Sequence, residues 1–179
     1  NIRGTKSKPI TITTYTVSGS NVKPIINAKD ELGGIVLINC SHIKVEGLTI
    51  VANGGKAPKK TKKGLRCGVL VTTSKAGVFQ NIILENLEVK DIFYENPNFQ
   101  RGKDEVRTAN GTQSYGWGIR FINSNKDALL KDVLVQSCTV SNVAHTGIKL
   151  KGKLEGLKLY DNEVFKTGGP GMQFSIVTD

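Results

Sequence analysis

A twelve-residue repeat without gaps is the feature that most limits what this chain can fold into. Four segments align with no insertion: residues 42–53, 81–92, 132–143 and 156–167. Their second, fourth and ninth positions are aliphatic in every copy, and the sixth holds Gly, Asn, Ser or Asp, which favour turns. Apolar residues at positions two and four predict a strand with one buried face, then a turn and a second short strand.

A second marker repeats with these segments, a glycine placed before an apolar-x-apolar triplet. It occurs five times, at Gly34, Gly68, Gly118, Gly147 and Gly171. The shortest interval, 24 residues from Gly147 to Gly171, approximates one bare coil, and the longer intervals carry insertions. A propeller blade needs about 40 residues and four strands, so a propeller and an antiparallel sandwich are the less favoured alternatives.

The two markers together predict an all-β chain, a right-handed parallel β-helix of about five coils. We expect residues 43–45, 82–84, 133–135 and 157–159 to form one in-register parallel sheet. A single domain is predicted over residues 1–179. The last coil begins at Gly171 and stops at Asp179 without a polar cap, so we expect the chain to be a fragment of a longer β-helix.

The glycine-led strands and the four repeated segments resemble the right-handed parallel β-helix proteins of the pectate-lyase-like superfamily. Residues 8–12 (KPITI) and 167–171 (TGGPG) carry the same resemblance, which covers nearly the whole chain and is specific for fold. It implies a carbohydrate-active protein, a polysaccharide lyase or a glycoside hydrolase, although epimerases and phage tail adhesins also belong to this group. A secreted, periplasmic or cell-surface location is implied in the same way.

The charge balance indicates the kind of partner. The chain has 25 Lys and Arg against 15 Asp and Glu, a net charge of +10, which favours polyanions. Neither a recognition helix nor an aromatic RNA-binding motif is visible, so an acidic polysaccharide is expected rather than nucleic acid. No apolar run is long enough to span a membrane.

The cysteines have no metal-like spacing, and no metal or cofactor is predicted. The three of them, Cys40, Cys67 and Cys138, are an odd number, so at least one is a free thiol or bonds another chain. The sequence leaves their redox state and the oligomeric state open.

Two long insertions, residues 54–67 and 93–117, occupy the same place in successive repeats, so we expect them side by side at one corner. The first is strongly basic and contains Lys63 and Arg66, whereas the second contains the aromatic residues Tyr115 and Trp117. Loops held by a rigid scaffold often carry function, and this pair suits an acidic sugar chain. The alternative is an ordinary solvated surface loop.

The glycine-led strands place Arg120 and Lys149 outward on adjacent strands, which lie ~4.8 Å apart. Like charges facing each other across a sheet destabilise it, so an acidic ligand would offset the repulsion. Lys151 points outward on the same strand, and His145 lies on the rim, where it could act as a general acid or base. The alternative is cations extended into solvent beside a surface histidine.

These residues favour lyase chemistry on a uronate or sulfated glycan, since a lyase needs cations near the carboxylate and a base. The predicted catalytic residues are Lys149, His145 and Arg120. The predicted substrate-binding residues are Trp117, Tyr115, Lys151, Arg66 and Lys63. A glycoside hydrolase needs two carboxylates at ~5 to ~9.5 Å, which the sequence does not identify before residue 179. A hydrolase with its carboxylates beyond that point, and a non-catalytic glycan-binding β-helix, stay as alternatives.

Overall fold

The computed structural model describes residues 4–15, 22–56, 65–95, 113 and 116–177, and every regular element in that part of the chain is a β-strand. The first sheet contains β1 (Ile10–Ile12), β4 (Ile43–Glu46), β7 (Gly77–Glu85), β10 (Ala128–Gln136) and β13 (Lys158–Tyr160). The second contains β2 (Ile25–Asn27), β5 (Thr49–Ala52), β8 (Glu88–Ile92), β11 (Thr139–Val143) and β14 (Glu163–Thr167). The third contains β3 (Gly33–Ile38), β6 (Cys67–Thr73), β9 (Trp117–Asn123), β12 (Ile148–Glu155) and β15 (Met172–Val177).

Each strand pairs in parallel with the strand three places along the chain, so every coil contributes one strand to each sheet. The long strand β12 also joins the first and third sheets, where Leu154 pairs with Leu130. Five such coils make a parallel β-helix with three faces. The predicted fold class is confirmed.

The register of the first sheet follows the sequence repeat. Ile43 pairs with Ile82, and Ile82 pairs with Val133. Val135 pairs with Leu159 in the last coil, so the predicted in-register parallel sheet is confirmed. Ile82 and Val135 are completely buried, and the aliphatic columns of all three sheets meet in one core inside the helix. Burial of such side chains is the main stabilising contribution, at ~1.5–3 kcal/mol each.

The turn-forming sixth position of the repeat is explained by its backbone conformation. Gly47, Asn86, Ser137 and Asp161 all have positive φ, between 50° and 69°. Gly, Asn and Asp tolerate this left-handed region better than other residues do, because they add little steric or local strain there. The residue at this position therefore turns the chain from the first sheet into the second in the four coils that carry the repeat.

Close approach of a neighbouring side chain explains the glycine at the start of four of the five third-sheet strands. A Cβ atom added to Gly68 would overlap the side chain of Val89, and one added to Gly118 would overlap Val140. These partners are the ninth-position aliphatic residues of the repeat, so the two sequence markers meet at this corner. Gly171 differs, since an added Cβ would lie 3.7 Å from the nearest side chain, an ordinary contact.

The two long insertions leave the helix at one corner. The main chains of Lys56 and Glu95 form a parallel bridge, and the Glu95 N–H donates to the Gly55 carbonyl at 2.9 Å. The strands to which the insertions return, β6 and β9, also pair. The expectation that the loops lie side by side is confirmed for their described ends. Residues 57–64, 96–112 and 114–115 lie outside the described part of the chain.

Candidate functional site

The outer face of the third sheet carries the predicted cation pair. Arg120 on β9 and Lys149 on β12 are directly opposite each other in the parallel register. Their sequence neighbours on both sides are buried, while Arg120 and Lys149 are partly exposed, so both side chains point outward as predicted. Lys151 follows two residues later on β12 and is exposed.

Several cations of the first and second sheets are paired with carboxylates. The described ion pairs are Lys44 with Glu46 and with Glu85, Lys90 with Glu88, and Lys131 with Glu155. Within the described residues, none of these ion pairs involves Arg120, Lys149 or Lys151. The third sheet therefore presents positive charge that the described part of the chain does not neutralise.

This concentration of charge changes the acid–base properties of the cations. Partial burial lowers the pKa of Lys149, and the nearby charges of Arg120 and Lys151 lower it further. Burial likewise lowers the pKa of Arg120. Both shifts have the sign expected where positive charge is poorly solvated and unpaired. An anion bound here would offset the repulsion between these positive charges.

Trp117 and His145 lie beside Arg120. The guanidinium carbon of Arg120 is 4.1 Å from the centroid of the Trp117 ring, and the ring centroids of Trp117 and His145 are 5.6 Å apart. Trp117 is only 9% exposed, so its ring supports Arg120 through a cation–π contact. The structure thus brings Trp117 to the predicted site, where it holds the guanidinium in place.

His145 sits in the short turn before β12. Its Nδ1 is 2.8 Å from the Thr146 hydroxyl, and its main-chain N–H donates to the Gly116 carbonyl. Burial lowers the pKa of His145, and the charges of Lys149 and Arg120 lower it further. The imidazole is therefore mainly neutral at pH 7, the state required of a general base.

A small apolar cluster lies on the outside of the third sheet, separate from the main core. Cys67, Leu70 and Trp117 are buried in it, with Leu65 and Ile122 packed against them. Burial raises the pKa of the Cys67 thiol to about 12, so this thiol is inert in the folded chain. The repeat pattern does not predict this cluster. Its one signal was that Leu70 occupies the outward position of its triplet, where Arg120 stands one coil later.

Arg66 is not a surface residue of the basic loop. Its side chain is completely buried, and its Nη1 donates to the carbonyls of Phe93, at 2.9 Å, of Ala52 and of Gly54. Its guanidinium carbon lies 4.0 Å from the centroid of the Tyr94 ring. The carbonyls at the loop corner need a donor and Arg66 supplies it, so the structure gives this side chain a structural role, while its predicted part in substrate binding stays a prediction.

The remaining predicted substrate-binding residues, Tyr115 and Lys63, lie outside the described part of the chain and stay predictions. All three cysteines are free thiols. Across the described ranges, no three His, Cys, Asp or Glu side chains are grouped so that they could hold a metal ion. A search of the same ranges finds no helix with the length and apolar character of a membrane span.

Comparison with known proteins shows that the fold of this chain is similar to that of solved structures. No protein-family profile matches the chain, and no curated protein matches it in sequence. Two crystal structures of a GH136 lacto-N-biosidase from Eubacterium ramulus are similar to it, both at 19% sequence identity. The selenomethionine derivative gives a TM-score of 0.70 over 95% of this chain and 34% of that one. The native protein gives 0.65 over 89% and 32%.

The chain thus spans about a third of the length of the solved structures that it matches. At this level of identity the similarity shows the fold alone, a parallel β-helix.

Proposed function

We propose that the outer face of the third sheet binds an acidic glycan and that the chain is a polysaccharide-degrading enzyme, or part of one. The observation that carries this proposal is the group of Arg120, Lys149 and Lys151, which forms no ion pair within the described residues. On the other two faces, Lys44, Lys90 and Lys131 are each paired with a carboxylate. A uronate or sulfated glycan supplies the missing negative charge. A site of action outside the cytoplasm is part of the same proposal.

Lyase chemistry is the finer part of the proposal. Arg120, held against Trp117, would neutralise the uronate carboxylate and make the proton on the adjacent carbon more acidic. Lys149 or His145, each with a lowered pKa, would remove that proton. The electron pair then forms the new C4–C5 double bond, and the C4–O bond breaks. The departing sugar oxygen takes up a proton.

Glycoside hydrolysis is a second candidate, supported by the similarity of fold to a lacto-N-biosidase. Two outward acidic residues of the second sheet lie two strands apart. Glu88 and Glu163 both pair with Thr139, one on each side. Two strand spacings are ~9.6 Å, close to the upper limit for inverting enzymes. Lys90 lowers the pKa of Glu88, which would suit a base rather than an acid.

The test is a screen of uronate and sulfated glycans for binding and for the ultraviolet absorbance of an unsaturated product. Each charge-assisted contact contributes ~1.5–3 kcal/mol, so Arg120→Ala with Lys149→Ala should weaken binding by well over tenfold. Lys126→Ala with Lys158→Ala is the matched control, because it removes two exposed charges elsewhere. Unchanged affinity in the folded Arg120 and Lys149 variant would reject this surface.

The product separates the candidate activities. An unsaturated uronate that disappears in Lys149→Ala or His145→Ala supports the lyase. Reducing ends without unsaturation, lost in Glu88→Gln, support the hydrolase. Binding without either product, still lost in the Arg120 and Lys149 variant, supports a non-catalytic glycan-binding β-helix.

A further inference from the structure

The outer face of the third sheet changes character along the helix axis. Two outward columns of side chains run side by side from the first coil to the fifth. In chain order the first column is Val36, Leu70, Arg120, Lys149 and Gln173. The second column is Ile38, Thr72, Ile122, Lys151 and Ser175. The first column is therefore apolar in the first two coils, cationic in the next two and neutral polar in the last, and the second column begins with an aliphatic residue and becomes cationic in the fourth coil.

The apolar part of this face is accessible. Val36 is 39% exposed and Ile38 is 53% exposed, although both belong to a regular strand of a three-sheet helix. Leu70 in the second coil is buried against Trp117, and Ile122 packs on the same cluster, so the exposed apolar surface of this face belongs to the first coil. A ligand that covers such apolar surface removes it from water, which favours binding.

The dimensions of the face favour a single extended chain as its ligand. Successive coils are ~4.8 Å apart, so Val36 and Lys149 are separated by about 14 Å along the axis. The two columns are about 7 Å apart along the strands. A strip of this width fits one polysaccharide chain, whereas a specific protein interface needs about 800 Å² on each partner.

We propose that the glycan bound here lies along the helix axis, with its acidic unit over Lys149 and Lys151 and an apolar substituent over Val36 and Ile38. The substituent is of the O-acetyl kind, an uncharged group ending in a methyl, because it covers aliphatic side chains and leaves the carboxylates ionised. The substrate class is therefore an acylated acidic glycan. This inference rests on the proposed function and specifies its ligand.

Two probes of equal charge test it, a partially O-acetylated polyuronate and the same sample after mild alkaline deacetylation. The protein should bind the acetylated sample about fourfold more tightly, the factor that corresponds to burial of one methyl group. Val36→Ser with Ile38→Ser should abolish this preference and leave affinity for the deacetylated sample unchanged. Val78→Ser with Ile25→Ser, which alters exposed aliphatic residues of the other two sheets, should preserve the preference.

The outcomes distinguish the two levels of the proposal. Equal affinity for both samples, together with loss of binding in Arg120→Ala with Lys149→Ala, would overturn the acyl inference and leave the acidic-glycan site intact. A preference that survives in the Val36 and Ile38 variant would overturn it as well. No binding of either sample would overturn this inference. Binding that is insensitive to the Arg120 and Lys149 variant would overturn the proposed function and this inference with it.

Discussion

Arg66 and Arg120 show how two arginines of one corner region take different roles. The Arg66 side chain is completely buried, and its Nη1 donates to main-chain carbonyls at the start of both long insertions, so it acts inside the corner rather than on the outer face. Arg120 rests on the Trp117 ring, and its Nε has no hydrogen-bond partner among the described residues. A planar guanidinium suits both positions, since it combines stacking with directed donors.

The role of Arg66 can be tested by stability. Arg66→Met removes the donor to three carbonyls, and each unsatisfied buried group costs about 1–3 kcal/mol, so the free energy of unfolding should fall by several kcal/mol. Chemical denaturation measures it. Lys75→Met, an exposed cation, is the control and should change stability little. A stable Arg66→Met protein that has lost glycan binding would instead support Arg66 as a substrate-binding residue.

His145 predicts a pH dependence with a definite sign. Burial and two neighbouring cations lower the pKa of His145, so it gains its proton only as the pH falls below its ordinary value of about 6.5. A bound polyanion favours the protonated form. Affinity for an acidic glycan should therefore rise as the pH falls from about 8 to about 5.5, measured by calorimetry, and His145→Gln should flatten that rise.

The same shift has the opposite effect on the free protein. A histidine whose pKa is lower in the folded state opposes folding when it is protonated. Its contribution to the free energy of unfolding is complete above about pH 6.5 and is lost as the pH falls through the folded-state value. Without glycan, mild acid should therefore lower the free energy of unfolding less in His145→Gln than in the unaltered protein.

At the scale of strands and corners, the glycine column is the most directly testable feature. Gly118→Ala forces a methyl group into Val140 and into the main chain of the next coil, and overpacking of this kind costs about 1–3 kcal/mol. Gly171→Ala makes only an ordinary contact and is the matched control. Thermal unfolding should separate the two variants. Equal melting temperatures would show that close approach does not explain the glycine.

Strands and register could be predicted because the side-chain period and the repeat length are set by the same geometry. An aliphatic column that stays in register over four coils leaves one arrangement that buries it. The alternation of buried and outward side chains fails at the corner before Gly118. There Trp117 shares the parity of the buried Ile119, yet it lies on the outer face with Cys67 and Leu70. Side chains alternate regularly along a straight strand, but this alternation does not continue through a turn.

The candidate site could be predicted only in part, for a related reason. Arg120 and Lys149 were found because they lie on regular strands whose outward face the repeat defines. The burial of Arg66 was not predicted, because it lies in an irregular segment, where a basic residue next to other basic residues suggests a solvated surface. Only three-dimensional coordinates show that carbonyls from two coils converge on it.

At the scale of the whole molecule, the coils form a one-dimensional stack in which each coil contacts mainly its neighbours. β8 and β11 are paired on both sides, whereas β2 and β14 form the edges of the second sheet. In a solenoid, stability depends on these neighbour contacts, so terminal coils open more often. Hydrogen exchange in the 179-residue chain should be slower in β8 and β11 than in β2 and β14, by about a hundredfold or more. Uniform protection would indicate one all-or-none unit.

The buried Arg66 also bears on how such a chain can change over time. Both long insertions start against this one guanidinium, while the coil after them closes the same corner with only Ala144, His145 and Thr146. The length of an insertion can therefore change without changing the register of the coils beneath it. Loops of different length and composition could be grafted at this corner, provided that Arg66 and the carbonyls it binds are retained. Ligand preference could then diversify without any cost to the scaffold.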